Sequence, residues 1–171
     1  MSDNIKKSFD EINSLQNKLM SMNDLTTWTN FEPIFRKNLL LSCASYYESC
    51  VYNKIKQLFT NSNHSKVHLT EFTMNSLNRR YHTLFDWNGN NTNSFLKLFG
   101  DEKKNKIRIK IESDMKIKSG EKHFIEIGNR RNILVHNNFS IATVDLSIND
   151  IYNHHKEIIR FLDFLFEEVS N

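Results

Sequence analysis

A chain of 171 residues is long enough for one well-buried core and too short for two ordinary domains. Hydrophobic residues make up 39% and charged residues 25%, which excludes a disordered chain and a membrane-spanning one. The net charge of +3 permits contact with nucleic acid without demanding it.

Four glycines and one proline leave few breakers and favour helices. No apolar run approaches the roughly 18 residues needed to cross a bilayer, so no membrane partner is expected. The first residues, Met1 to Lys7, lack the apolar core of a signal peptide, and the expected location is the cytoplasm. Cys43 and Cys50 share one helix face two turns apart, a separation of roughly 10 Å that is too long for a disulfide. They read as reduced core thiols.

In chain order, residues 4–22 predict a helix through Ile5, Phe9, Ile12, Leu15 and Leu19. Asn23 and Asp24 form a break with capping residues. Residues 28–60 predict the longest helix, with Pro33 expected in its first turn, where a missing N–H costs nothing. Glu48 lies inside it, either as a surface glutamate or as a carboxylate held toward a polar stretch further on. Residues 60–65 are a polar loop. A helix is predicted over 67–85, followed by a loop over 86–93 marked by Asn88-Gly89. A short helix over 94–99 should end at Gly100 as its C-cap. Residues 106–112 alternate with period two, a strand signal in isolation. A lone strand among helices has nothing to pair with, so a helix is expected there. Residues 120–137 predict a helix ended by Asn137 and Asn138, in the left-handed conformation that asparagine tolerates. Ser147 to Asp150 has the pattern of a capping box that opens the last helix, 148–169. The expectation is a single all-α domain, an antiparallel bundle of about five to six helices. Its N-terminal helix lies within 1–24 and its core within 28–168.

The chemically capable residues concentrate in Arg130-Arg131-Asn132-Ile133-Leu134-Val135-His136-Asn137. Asn132 and His136 are four apart and share a helix face, whereas Arg131 lies about 140° around from His136. His136 falls in the expected last turn, where the helix dipole favours cations. Arg131 offers a planar fork that matches phosphate oxygens. Asn132 suits orienting the imidazole or binding a substrate group. This set suits RNA cleavage by attack of a ribose 2′-OH on the adjacent phosphate. That reaction needs proton transfer and a cation to stabilise the phosphorane, and it needs no cofactor or metal. One protomer offers a single motif histidine, and a two-fold dimer would bring two together. Arg-x4-His alone arises easily by chance in a chain with seven Arg and seven His, and the asparagine after the arginine narrows it. From the residues alone, a helix end carrying solvated polar groups accounts for the stretch equally well.

Arg131-Asn132-Ile133-Leu134-Val135-His136-Asn137 resembles the Arg-polar-x3-His signature of the HEPN superfamily. The segment from Phe85 to Gly100 and the helix after it resemble the RiboL-PSP-HEPN subgroup, with a second HEPN subgroup a close competitor. Residues 39–52 resemble the superfamily's early core helix, which often carries an acidic residue aimed at the motif. The resemblance implies an all-α, metal-independent endoribonuclease acting on RNA as a homodimer. It also implies a place among toxin–antitoxin and anti-phage defence systems, with an antitoxin or defence-complex protein as a further partner. The alternative it leaves open is a non-catalytic module that binds nucleotide, RNA or a protein. Arg131 and His136 match the catalytic pair, Asn132 the polar position, and Glu48 the acidic residue. Arg130 and Asn137 are candidates for substrate contact, Arg130 being equally suited to a solvated role. Where some relatives carry a tyrosine modified by an adenylylating antitoxin, this chain has Asn138, which argues against that mode of control.

The remaining histidines read as structural. His154 and His155 point about 100° apart and are expected at the surface. For His64, His68, His82 and His123, no Cys/His grouping has zinc-site spacing, so no metal ligands are expected. Trp28 and Trp87 read as packing residues.

Overall fold

The computed structural model describes residues 2–62, 67–77, 80–137 and 139–170, and among these it contains eight helices and no strand. They are α1 (Ser2–Ser21), α2 (Leu25–Ser62), α3 (Val67–Leu77), α4 (Tyr81–Leu84), α5 (Asn93–Lys97), α6 (Asp101–Ser113), α7 (Met115–His136) and α8 (Ile148–Ser170). The all-α expectation holds, and the number exceeds five to six because of the one-turn helices α4 and α5.

The core forms where α7 and α8 pack on α2. Tyr47 of α2, Phe124 and Ile127 of α7, and Ile151, Ile158 and Phe161 of α8 are fully buried together. Burying six such side chains contributes about 1.5–3 kcal/mol each toward folding, one part of what offsets the chain's lost freedom. Close approach of α7 to α8 depends on Gly120, where a Cβ would lie 2.5 Å from the Glu157 carbonyl oxygen and 2.8 Å from the Phe161 Cβ. Helix α1 joins the same core through Ile5 and through Phe9, which stacks on Tyr152 of α8 at 4.0 Å between ring centroids.

Several boundaries differ from the sequence reading. Helix α2 begins at Leu25, with Asp24 accepting a hydrogen bond from the Thr27 N–H at 3.1 Å. Pro33 therefore lies in the helix interior and not in the first turn. The helix expected over 67–85 is divided into α3 and α4 with Arg80 outside both, and residues 78 and 79 lie outside the described residues, as do 63–66 of the loop before α3. Helix α6 is a helix in spite of its alternation, because Ile107 and Ile111, four apart, are buried while Ile109 between them is 70% exposed. Gly100 joins α5 to α6 with φ of 92°, a left-handed conformation that favours glycine. Asp114 caps α7 by accepting from the N–H groups of Lys116 and Ile117. Ser147 and Asp150 form the expected capping box at α8: the Ser147 N–H donates to the Asp150 carboxylate, and the Asp150 N–H donates to Ser147 Oγ. Asn137 ends α7 in extended backbone, not in the left-handed conformation, and Asn138 lies outside the described residues.

The histidines of α8 are not surface residues. His155 is buried, with Nδ1 3.1 Å from the Tyr47 hydroxyl, and burial pushes its pKa down to about 4. His154 is half-buried. Trp28 and Trp87 are buried packing residues, as expected. Cys43 and Cys50 are free thiols, and burial pushes the Cys43 thiol up to about 12. No described helix is long and apolar enough to cross a membrane.

Candidate functional site

Helix α7 is held in place before it presents anything. Trp87, at the start of the 86–92 loop, lies flat on the helix at Gly128. Its indole N–H donates to the His82 carbonyl at 3.0 Å, and its own carbonyl accepts from Asn129 Nδ2 at 2.9 Å. At the other end of that loop the Glu121 carboxylate, 2% exposed, accepts from the N–H and hydroxyl of Thr92. It also accepts both arms of the Arg108 guanidinium of α6, at 2.8 and 2.6 Å. A buried carboxylate persists only when paired and hydrogen-bonded in this way. The loop and α6 are thereby tied to fixed positions along α7.

Above Trp87, α7 presents Arg131 and Asn132 to a narrow cleft of about 10 Å³, floored by Tyr47, Tyr81, Trp87 and Phe124. That volume is the size of one water site. Arg131 is half-buried and donates from Nη1 to Asn132 Oδ1 at 3.1 Å. Asn132 therefore orients the guanidinium, and not the imidazole. Arg131 has no carboxylate within ion-pairing distance among the described residues, whereas Arg36, Arg108 and Arg130 each do.

Glu48 is half-buried on α2, and its charge reaches the same side of α7. Burial pushes the Tyr81 phenol well above its usual range, Glu48 adds to that, and Arg131 opposes it. The His82 imidazole lies below its ordinary value, through burial first and the Arg131 guanidinium second. Glu48 pulls it up, and His136 pushes it down. Four charged or titratable side chains, Glu48, His82, Arg131 and His136, thus share one electrostatic neighbourhood. His82 and Tyr81 were not anticipated as members, because the α3–α4 break that aims them here left no mark in the periodicity.

His136 is exposed in the last turn of α7, and among the described residues it makes no hydrogen bond. Among the described residues no hydrogen bond joins it to Arg131. Beside it Ile133 and Val135 are 46% and 51% exposed. The turn that follows is anchored from α2, where Lys37 donates to the Phe139 carbonyl at 2.7 Å and sits over its ring. Arg130 turns away from the cleft and is committed to acidic partners, Glu126 at 3.0 Å and Asp145 at 3.5 Å. Asn137 is exposed, and its N–H donates to the Ile133 carbonyl as the helix cap.

An all-α bundle with an Arg-Asn-x3-His stretch on a central helix has the architecture of a HEPN domain. The chain belongs to the RiboL-PSP-HEPN family, which it matches over residues 3–171. No curated protein and no solved structure matches it.

Proposed function

We propose that the protein is a metal-independent endoribonuclease that cleaves RNA by internal attack of a ribose 2′-OH at a site shared by two protomers. The observation that carries this reading is Arg131. A half-buried guanidinium, oriented by Asn132 and left without a carboxylate among the described residues, is a site prepared for an anion. A phosphodiester supplies that anion, and the negative charge that grows on its oxygens in the phosphorane is what the guanidinium would stabilise. His136 takes the 2′-OH proton while the oxygen attacks phosphorus. The second protomer's copy of the same histidine protonates the departing 5′-oxygen. The products are a 2′,3′-cyclic phosphate and a 5′-hydroxyl. Glu48 acts through charge on the same neighbourhood and is assigned to positioning. The exposed Ile133 and Val135 beside His136 supply apolar surface for the two-fold contact that brings both histidines to one cleft. In this reading Arg130, held by Glu126 and Asp145, lies outside the reaction, and Asn137 lies at its edge. A toxin or anti-phage role, with a protein antitoxin or activator as partner, follows from the family setting and not from the geometry.

The separation of His136 from Arg131 within one chain favours the second reading, a module that binds RNA, nucleotide or protein without cleaving. The deciding experiment is incubation of a mixed RNA substrate with folded protein in EDTA, wild type against His136→Ala. Cyclic phosphate ends produced by wild type, with a loss of about 10²–10⁴-fold in the variant, support catalysis. No cleavage by a folded, dimeric wild type moves the assignment to binding.

A further inference from the structure

We propose that His123 and Glu126 of α7 and His154 of α8 form a site for one divalent transition-metal ion of the zinc class, which staples the two helices on the side of α7 away from the motif. Arg131 is eight residues beyond His123, about 12 Å further along the helix axis, and Asn132 is about 180° around from His123, so this site and the Arg131 cleft are separate.

Three candidate ligand atoms, one from each residue, lie within 4.8 Å of one another. The bond lengths of a zinc site, about 2.0–2.1 Å to nitrogen, call for tetrahedral ligand atoms about 3.3 Å apart, so the side chains must close by up to about 1.5 Å when the ion enters. The surroundings are arranged as the supports of a metal-binding imidazole commonly are. Glu157 Oε2 lies 3.0 Å from His123 Nδ1, and Ser119 Oγ donates to the same oxygen at 2.7 Å. A proton on Nδ1 leaves Nε2 of His123 with its lone pair free, which is the carboxylate–histidine–metal pattern. The Nδ1 atom of His154 is buried and without a hydrogen-bond partner, a cost that coordination would remove. Glu126 gives one oxygen, Oε1, to both Nε and Nη2 of Arg130, which leaves Oε2 available.

The two imidazoles stack at 3.6 Å between centroids and 12° between planes. Two protonated rings would repel each other at that distance. Neutral imidazole is the form that binds metal. Parallel rings aim their lone pairs side by side, so coordination turns them about χ2, a soft torsion. Two nitrogens and one carboxylate oxygen select a borderline ion such as zinc over magnesium or calcium, which take oxygen ligands. The fourth tetrahedral position is left for water. Spacing within the sequence could not reveal the site, because its two histidines come from different helices.

The test is calorimetric titration of tag-free, EDTA-stripped protein with zinc chloride, paired with thermal melts. The expected result is one zinc per chain and a melting temperature that rises to saturation. Glu157→Gln should weaken binding by about 10–100-fold, and His154→Ala by more than that. Glu126→Gln, at a half-buried position, guards against a variant that fails to fold. It should leave the metal-free melting temperature near wild type while weakening binding. Absence of zinc binding by wild type overturns the proposal. So does undiminished binding in both His154→Ala and Glu126→Gln, which would place the ion elsewhere on the chain.

Discussion

The six-membered ring of Trp87 rests on the backbone of Gly128 so closely that a Cβ added there would lie 2.0 Å from both Cε3 and Cζ3. The indole, buried and held through its N–H by the His82 carbonyl, would have to shift to clear that overlap. Gly128→Ala is therefore expected to destabilise the fold by about 1–3 kcal/mol, the usual cost of overpacking, as measured by urea unfolding. Tyr81, Trp87 and Arg131 line one cleft, so the variant should also weaken RNA binding. Unchanged stability would mean that the indole is not seated there.

Glu121 and Arg108 give a second stability prediction. Glu121→Ala leaves the largely buried Arg108 guanidinium with only the half-exposed Glu112 carboxylate at 3.2 Å and strands the Thr92 donors, and a loss of about 3 kcal/mol, the low end of the cost of breaking a buried pair, is expected. Replacing both, as Arg108→Met with Glu121→Leu, should recover most of that loss, less the hydrogen bonds that Glu121 accepts from Thr92. A double variant as unstable as the single one would argue that the pair contributes more than relief of an unpaired charge.

His82 reports the electrostatics of the candidate site. Its pKa lies below the ordinary value of 6.5, so the folded state binds less proton there than the unfolded chain. The stability it contributes is whole above 6.5 and is lost as pH falls through the folded value. In NMR titrations Arg131→Ala and His136→Ala should each raise the His82 pKa, and Glu48→Gln should lower it. A Glu48→Gln variant that left His82 unmoved would remove Glu48 from the neighbourhood.

The proposed two-protomer site makes a prediction about assembly. Val135→Asp introduces charge at an exposed apolar position beside His136 without disturbing the core. It should halve the mass measured by sedimentation and abolish cleavage while leaving the helical circular dichroism intact. Full activity in a monomer would refute the two-protomer arrangement.

Much of this was legible in the linear pattern, and the exceptions have physical causes. The stretch from Arg131 to His136 stands out because polar groups interrupt an apolar helix, and the Ser147–Asp150 box announces α8 by its chemistry. Helix α6 was harder. Its isoleucines recur at two and at four, and only burial of Ile107 and Ile111 with exposure of Ile109 decides between strand and helix. Pro33 points to a first turn on its own terms, yet α2 runs through it because the packed helix outweighs one missing hydrogen bond. The pairings of His123 with His154 and of Arg108 with Glu121 each join two helices. Periodicity records which face of a helix is buried, not what lies opposite.

Gly120 and Gly128 hold α7 between α8 and Trp87 at two points about 12 Å apart along its axis. A helix gripped at two levels can neither slide nor spin without a clash at one of them. Arg131 lies less than one turn past the second grip and inherits its rigidity, whereas His136 lies two turns past it on an exposed end. In the proposed reaction, the half of the motif that would meet phosphate is thus set by the fold itself, while the half that would move protons waits on whatever covers that end. Catalytic competence would then be conferred at assembly, and an isolated chain would be born silent.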